Sequence, residues 1–291
     1  MNTLRTMGCD RISEFPDCLL THILSYLSTK DSVKTSVLSK RWEFLWLNVS
    51  GLDLNDLDFL PYGEPLLRFM YRFLEFNRGS CLQTFKLKYC RCTKLGYDSS
   101  NSLEWITQMV HRRVQHLDLE NKYLCRLYIM PECVYVSKTL VSLKLVQIGL
   151  KDPKFDVSLP CLKIMHLANN YFKNHLIMKK LISGSPVLEN ITMEASICLG
   201  TGFSGYPLVN SFWTNVPQCL SSTLEYVTIS VRIMDEETGI KLVNYFLENS
   251  AVLKKLTLSC KYYYKPKREA ECYKKLLTST KLSTRCQVLV S

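Results

Sequence analysis

The sequence predicts an α/β chain: a small three-helix module at the N-terminus, then a curved solenoid of parallel strands with helices on its outer side. Three observations predict it. The apolar spacing φ-x-x-φ-x-φ recurs eight times between Val49 and Leu258. Amphipathic segments of helical length lie between several of its copies. The run Asp10–Trp46 crowds more large apolar residues together than so short a stretch buries alone, so the body of the chain or another protein must cover them.

From the N-terminus, Met1–Cys9 carries one Arg and no apolar core, unlike a secretory leader, and is read as a tail (residues 1–9). The helical module spans residues 10–48. Pro16 suits a first helical turn that needs no amide donor, and Asp17 suits its positive end. Leu19, Leu20, Ile23, Leu24 and Leu27 then follow at helical spacing. Thr29-Lys30-Asp31 interrupts them and opens a second short helix with Val33 and Val37. Ser39 is placed to cap a third, carrying Trp42, Leu45 and Trp46.

The repeats begin at residue 49. Their triplets are Val49-Leu52-Leu54, Leu82-Phe85-Leu87, Val114-Leu117-Leu119 and Leu140-Leu143-Leu145, then Leu162-Met165-Leu167, Leu188-Ile191-Met193, Leu224-Val227-Ile229 and Leu253-Leu256-Leu258. The last positions step by 33, 32, 26, 22, 26, 36 and 29 residues, near the length of a leucine-rich repeat. The final two residues of each triplet are two apart and face one side of a short strand. Pro65–Asn77, Ser102–Arg112, Leu176–Ser183 and Glu237–Asn249 read as the helices between strands, with Gly79-Ser80, Pro131 and Gly184-Ser185-Pro186 as punctuation. One such unit cannot bury its own apolar face; a stack can. The Asn or Cys expected three residues past the last apolar position occurs only as Cys90 and Asn170. Residues between the core positions point the other way. Lys86, Lys88, Asp118, Glu120, Lys144, His166, Thr192, Thr228 and Thr257 would line the inner sheet face, either as a target-binding surface or as a plain solvated one.

Composition excludes several classes. No stretch approaches the roughly 18 apolar residues of a membrane span, so a cytoplasmic or nuclear protein is expected. The 13 cysteines are odd in number, without C-x-x-C spacing or a partnering His; reduced core cysteines are expected, with neither zinc nor disulfides. His22, His111, His116, His166 and His175 are scattered, and no nucleophile elbow, phosphate loop or dinucleotide fingerprint occurs, so neither catalysis nor a cofactor is expected. The net charge of +11 lies wholly beyond residue 54. It suits an acidic partner, nucleic acid, or a merely solvated surface. Lys261–Arg268, with three tyrosines among basic residues, reads as a loop, an import signal or, last in rank, a nucleic-acid contact.

Phe15-Pro16, Ile23–Leu27 and Val37-Leu38-Ser39-Lys40-Arg41-Trp42 resemble an F-box, with Phe15 where that family usually carries Leu. Residues 212–291, through Cys219–Ser222, Leu242–Ser250, Val252–Leu256 and Cys286–Val290, resemble the FBD domain that ends many plant F-box/leucine-rich-repeat proteins. Arg112–Leu117 and Ser158–Lys163 resemble the repeats of the same family, placed here at residues 49–211. The chain is shorter than the usual layout, and Ile197–Tyr206 looks like the place where repeats are missing. The resemblance implies a substrate-recognition subunit of a Skp–cullin–F-box ubiquitin ligase. Phe15, Pro16, Leu20, Ile23, Leu24, Leu27, Val33, Leu38 and Trp42 would then contact a Skp-family adaptor, and through it a cullin, while the repeats hold an unidentified protein target. A repeat scaffold without ligase function is the alternative. Leu38, Trp42 and Trp46 have a second reading, as residues joining the helices to the first repeat.

Overall fold

A computed structural model describes residues 11–12, 14–59, 64–76, 82–90, 99–122, 129–172, 176–194, 215–232, 236–261 and 280–290. Met1–Cys9, His175, Ile197–Tyr206, Phe212 and the Lys261–Arg268 run beyond its first residue lie outside these.

Nine strands form one parallel sheet: β1 (Gly51–Asn55), β2 (Thr84–Tyr89), β3 (His116–Asn121), β4 (Ser142–Val146), β6 (Ile164–Ala168), β8 (Asn190–Glu194), β9 (Tyr226–Arg232), β10 (Lys255–Lys261) and β11 (Gln287–Val290). They are ordered as in the chain, each pairing with the one before. Two short strands, β5 (Gly149–Leu150) and β7 (Tyr171–Phe172), pair beside it. The register holds Leu52, Phe85, Leu117, Leu143, Met165, Ile191, Val227, Leu256 and Val288 in one transverse row. Leu54, Leu87, Leu119, Leu145, Leu167, Met193, Ile229, Leu258 and Val290 form a second. Every residue of the eight triplets is at most 3% exposed. Burying one such side chain contributes about 1.5–3 kcal/mol, so each added repeat secures its neighbour.

The outer side carries α3 (Glu64–Phe76), α4 (Ser99–His111), α5 (Leu176–Ser183), α6 (Gln218–Ser222) and α7 (Glu236–Asn249). The four expected helices therefore form, within a few residues of the limits expected. Step length decides what fits. Steps of 29–33 residues hold helices of 13–14 residues, whereas among the described residues one step of 26 holds only the 3-10 turn Glu132–Val136 and the step of 22 holds no helix. Asn170, at one of the expected Asn or Cys positions, ties its repeat to the one before: its amide donates to the Leu145 carbonyl and accepts from the Ile148 N–H, both at 2.9 Å. Strand β11 escaped the repeat pattern because Arg285 stands where the triplet would begin with an apolar residue.

The N-terminal module differs from its expectation. Helices α1 (Asp17–Leu24) and α2 (Thr29–Lys34) form, α2 capped by the Ser28 hydroxyl, which accepts from the Asp31 N–H. The third α-helix does not. Residues 40–44 turn, and short 3-10 segments occupy Thr35–Val37 and Leu45–Asn48. The buried Trp42 and Leu45 are three residues apart, the period of a 3-10 turn rather than an α-helix. They join Leu20, Leu24 and Val49 in a small core of their own.

Trp46 touches both this core and the solenoid core, its indole stacked on Phe69 at 5.7 Å and Phe73 at 6.4 Å. The module also covers the open edge of the sheet. The Thr29 hydroxyl accepts the Asp53 N–H of β1 at 2.8 Å, and Lys30 pairs with Asp58 at 2.7 Å. Unpaired strand edges invite association, and terminal repeats need a cap; the module supplies one. Trp46→Ala is expected to lower stability by about 2–4 kcal/mol, read by denaturant unfolding. Gly184→Ala should cost about 1–3 kcal/mol by the same assay, because a Cβ there would lie 2.4 Å from the Val157 carbonyl oxygen.

Candidate protein-docking surfaces

Helix α1 divides its apolar residues between two faces. Leu20 and Leu24 point inward and are buried, as is Trp42. All three are expected at an adaptor contact, Trp42 also as a joining residue; in the structure they pack inside the module with Leu45 and Val49, Leu20 and Leu24 through their helical spacing and Trp42 from the turn at residues 40–44. Phe15, Leu19, Ile23 and Leu27, four residues apart, form an exposed stripe along the opposite side. Pro16 and Leu38 are exposed beside it, and Val33 is half-buried. Tyr26 (78% exposed), Val37 (86%) and Phe44 add exposed apolar surface outside the expected adaptor contacts. Leu19 was detectable from its four-residue offsets to Phe15 and Ile23; Tyr26, Val37 and Phe44 carry no such signal, since their exposure depends on where the turns aim them. Contiguous apolar surface of this kind marks an interaction site.

The stripe is held at its start. The Arg41 guanidinium donates to the Asp17 carboxylate at 2.8 and 3.0 Å and to the Phe15 carbonyl. It thereby ties the first turn of α1 to the segment after Leu38.

The open sheet face sorts into rows. Asp53, Lys86, Asp118, Lys144, His166, Thr192, Thr228 and Thr257 align across β1–β10. Lys88 and Glu120 pair in the next row, with Glu194 further along it. The register thus brings together all nine residues expected on this face. It also shows a division the strand-by-strand reading missed: charges alternate over β1–β4, hydroxyls follow over β8–β10. Lys144 pairs with Asp118 at 3.1 Å and Lys86 with Asp53 at 3.6 Å. Over the three facing rows the charged residues are Asp53, Asp118, Glu120, Glu194, Lys86, Lys88, Lys144 and Lys255, in equal numbers of each sign. A fourth row, confined to β9 and β10, places Arg232 opposite Lys261, so the balance of the first three rows gives way to positive charge at that end.

Among the described residues no group of three or more His, Cys, Asp or Glu side chains is arranged to hold a metal ion, and no helix is long and apolar enough to cross a membrane. Burial pushes the thiols of Cys90, Cys133 and Cys286 up, and that of Cys219 up to about 11, which keeps them protonated and poorly nucleophilic. Cys18 and Cys161, by contrast, are exposed.

Burial pushes the His166 imidazole below its ordinary value of 6.5; Lys144 acts in the same direction, and Glu194 and Asp118 oppose it. The unfolded chain therefore takes up a proton at higher pH than the folded chain does. His166 costs stability as pH falls through 6.5 and costs none above it. Unfolding measured at about pH 7.5 and about pH 5.5 should show a smaller acid loss for His166→Gln than for the natural chain.

Comparison with known proteins agrees with this architecture. Family models match at residues 12–53 (F-box domain), 161–186 (leucine-rich repeat) and 213–258 (FBD). An FBD-associated F-box protein of Arabidopsis thaliana is 41% identical over 97% of this chain and 99% of its own length. An F-box/FBD/LRR-repeat protein of the same plant is 35% identical over 98% and 100%. Another is 52% identical over 64% of this chain and 42% of its own length. The first two alignments run over 375 and 441 positions, both longer than the 291 residues here, so those relatives carry segments that this chain lacks. With an apolar-faced helical cap, a parallel repeat sheet and full-length similarity in hand, the chain belongs to the plant F-box/FBD/LRR-repeat family.

Proposed function

We propose that this protein is the substrate-recognition subunit of a Skp–cullin–F-box ubiquitin ligase, working in the cytoplasm or nucleus and contributing binding rather than catalysis. The observation that carries the reading is the division of the N-terminal module. Leu20, Leu24, Trp42 and Leu45 fill its own core and Trp46 joins the solenoid, while the Phe15–Leu19–Ile23–Leu27 stripe has no partner among the described residues of this chain. A Skp-family adaptor offers the apolar groove that such a stripe fits, and the cullin follows through the adaptor. The open sheet face then presents a protein target. The alternating charges over β1–β4 favour a protein over nucleic acid, whose phosphates call for a uniformly positive surface.

Large apolar anchors dominate interface energies. Pro16→Ala and Ile23→Ala, both at exposed positions, should each weaken adaptor binding by about 1–3 kcal/mol while leaving the unfolding transition in place. Co-purification is the direct check. The natural chain should bring down adaptor and cullin together, and the double variant neither. Adaptor without cullin would favour the scaffold reading, and full retention by the double variant would overturn the assignment.

A further inference from the structure

Between the end of α1 and the first four strands lies a cleft of about 580 Å³. Tyr26 forms one wall, and Asp53, Lys86, Asp118 and Lys144 stand in a row across the other, with His116 beside them. We infer that this cleft is the target-docking site, and that it takes a short polypeptide segment bearing cationic and anionic side chains in succession. The inference rests on the target-recognition reading above and names the chemistry of the target.

Signs alternate minus, plus, minus, plus across strands spaced about 4.8 Å apart. A ligand of one sign meets an ammonium or carboxylate of its own sign at every second strand. Like-charge contacts of that kind reject wrong partners as effectively as attraction selects right ones. A mixed-charge segment meets an opposite charge at each step. The row also retains binding capacity at Lys86. The Asp53–Lys86 contact, at 3.6 Å, is longer than a hydrogen bond. The weakly paired Lys86, its side chain partly exposed, is free to turn toward an incoming carboxylate. The volume lies within the range of sites for small ligands. It suits a few residues of a target loop, not a whole helix. Tyr26 at the mouth adds an aromatic wall of the kind enriched at binding hot spots.

The test uses the full chain and three fluorescent peptides: Gly-Lys-Glu-Lys-Glu-Gly, Gly-Lys-Lys-Lys-Lys-Gly and Gly-Glu-Glu-Glu-Glu-Gly. Fluorescence anisotropy at low salt should show the mixed peptide binding at least about tenfold tighter than either uniform one. The double exchange Asp118→Lys with Lys144→Asp keeps the net charge and the internal pair but breaks the alternation. It should abolish the preference, which a purely structural role for the pair would leave unchanged. Lys86→Gln, at an exposed side chain, provides the same test if the exchange fails to fold. Equal binding of the three peptides, tighter binding of a uniform one, or a preference unmoved by either variant would overturn the inference. Adaptor retention by the same preparations reports separately on the ligase reading.

Discussion

The structure depends on lateral stacking of strands that cannot stand alone. A single repeat holds a few leucines on one side of a strand some five residues long, and that side stays wet until a neighbour arrives. Parallel pairing without a register slip makes the rows of buried residues continuous from β1 to β11. A slip of one residue would turn each leucine to the open face, so the apolar rows and the polar rows enforce one another. The steps between triplets vary widely because the outer side tolerates a long helix, a 3-10 turn or plain loop, provided the strand returns to the same register.

Stacking creates the problem that the N-terminal module solves. The first strand has no predecessor, and its outer edge would be open. The module covers that edge through the Thr29 hydroxyl, the Lys30–Asp58 pair and the Trp46–Phe69–Phe73 stack. A helix pair that caps on one side and keeps an apolar stripe on the other is held to the sheet by these contacts. This matters for an adaptor of the proposed kind, since the distance between its two partners is set at that junction. The cleft beneath Tyr26 puts the charged end of the sheet face directly against the module.

Much of this was legible in the linear order. Period-two and period-four apolar spacings reported eight strands and four helices, because backbone geometry converts spacing into facing without reference to distant residues. The motif from Phe15 to Trp42 located the module. Spacing alone said less about its interior. Leu19 and Leu20 are equally apolar and adjacent, yet one is exposed and the other buried. The third helix failed for a related reason: Ser39–Asn48 must bury Trp42 and Leu45 in the module's core and lay Trp46 across both cores, and a run of turns does this where a regular helix would not. Strand β11 lacked its first apolar residue, and its neighbour β10 supplied the template instead.

By itself, the sequence determined the repeat, the parallel sheet, the presence of the helical module and the residue types of the open face. These follow from local periodicity and from side-chain chemistry, which travel with the chain. Only the tertiary structure decided which half of the module's apolar residues remain outside. Only it decided that Asp53, Lys86, Asp118 and Lys144, spread over ninety-odd residues of chain, stand side by side in alternating sign. The physical reason is that adjacency across a sheet is set by strand register, and register is a property of packed neighbours rather than of any one segment.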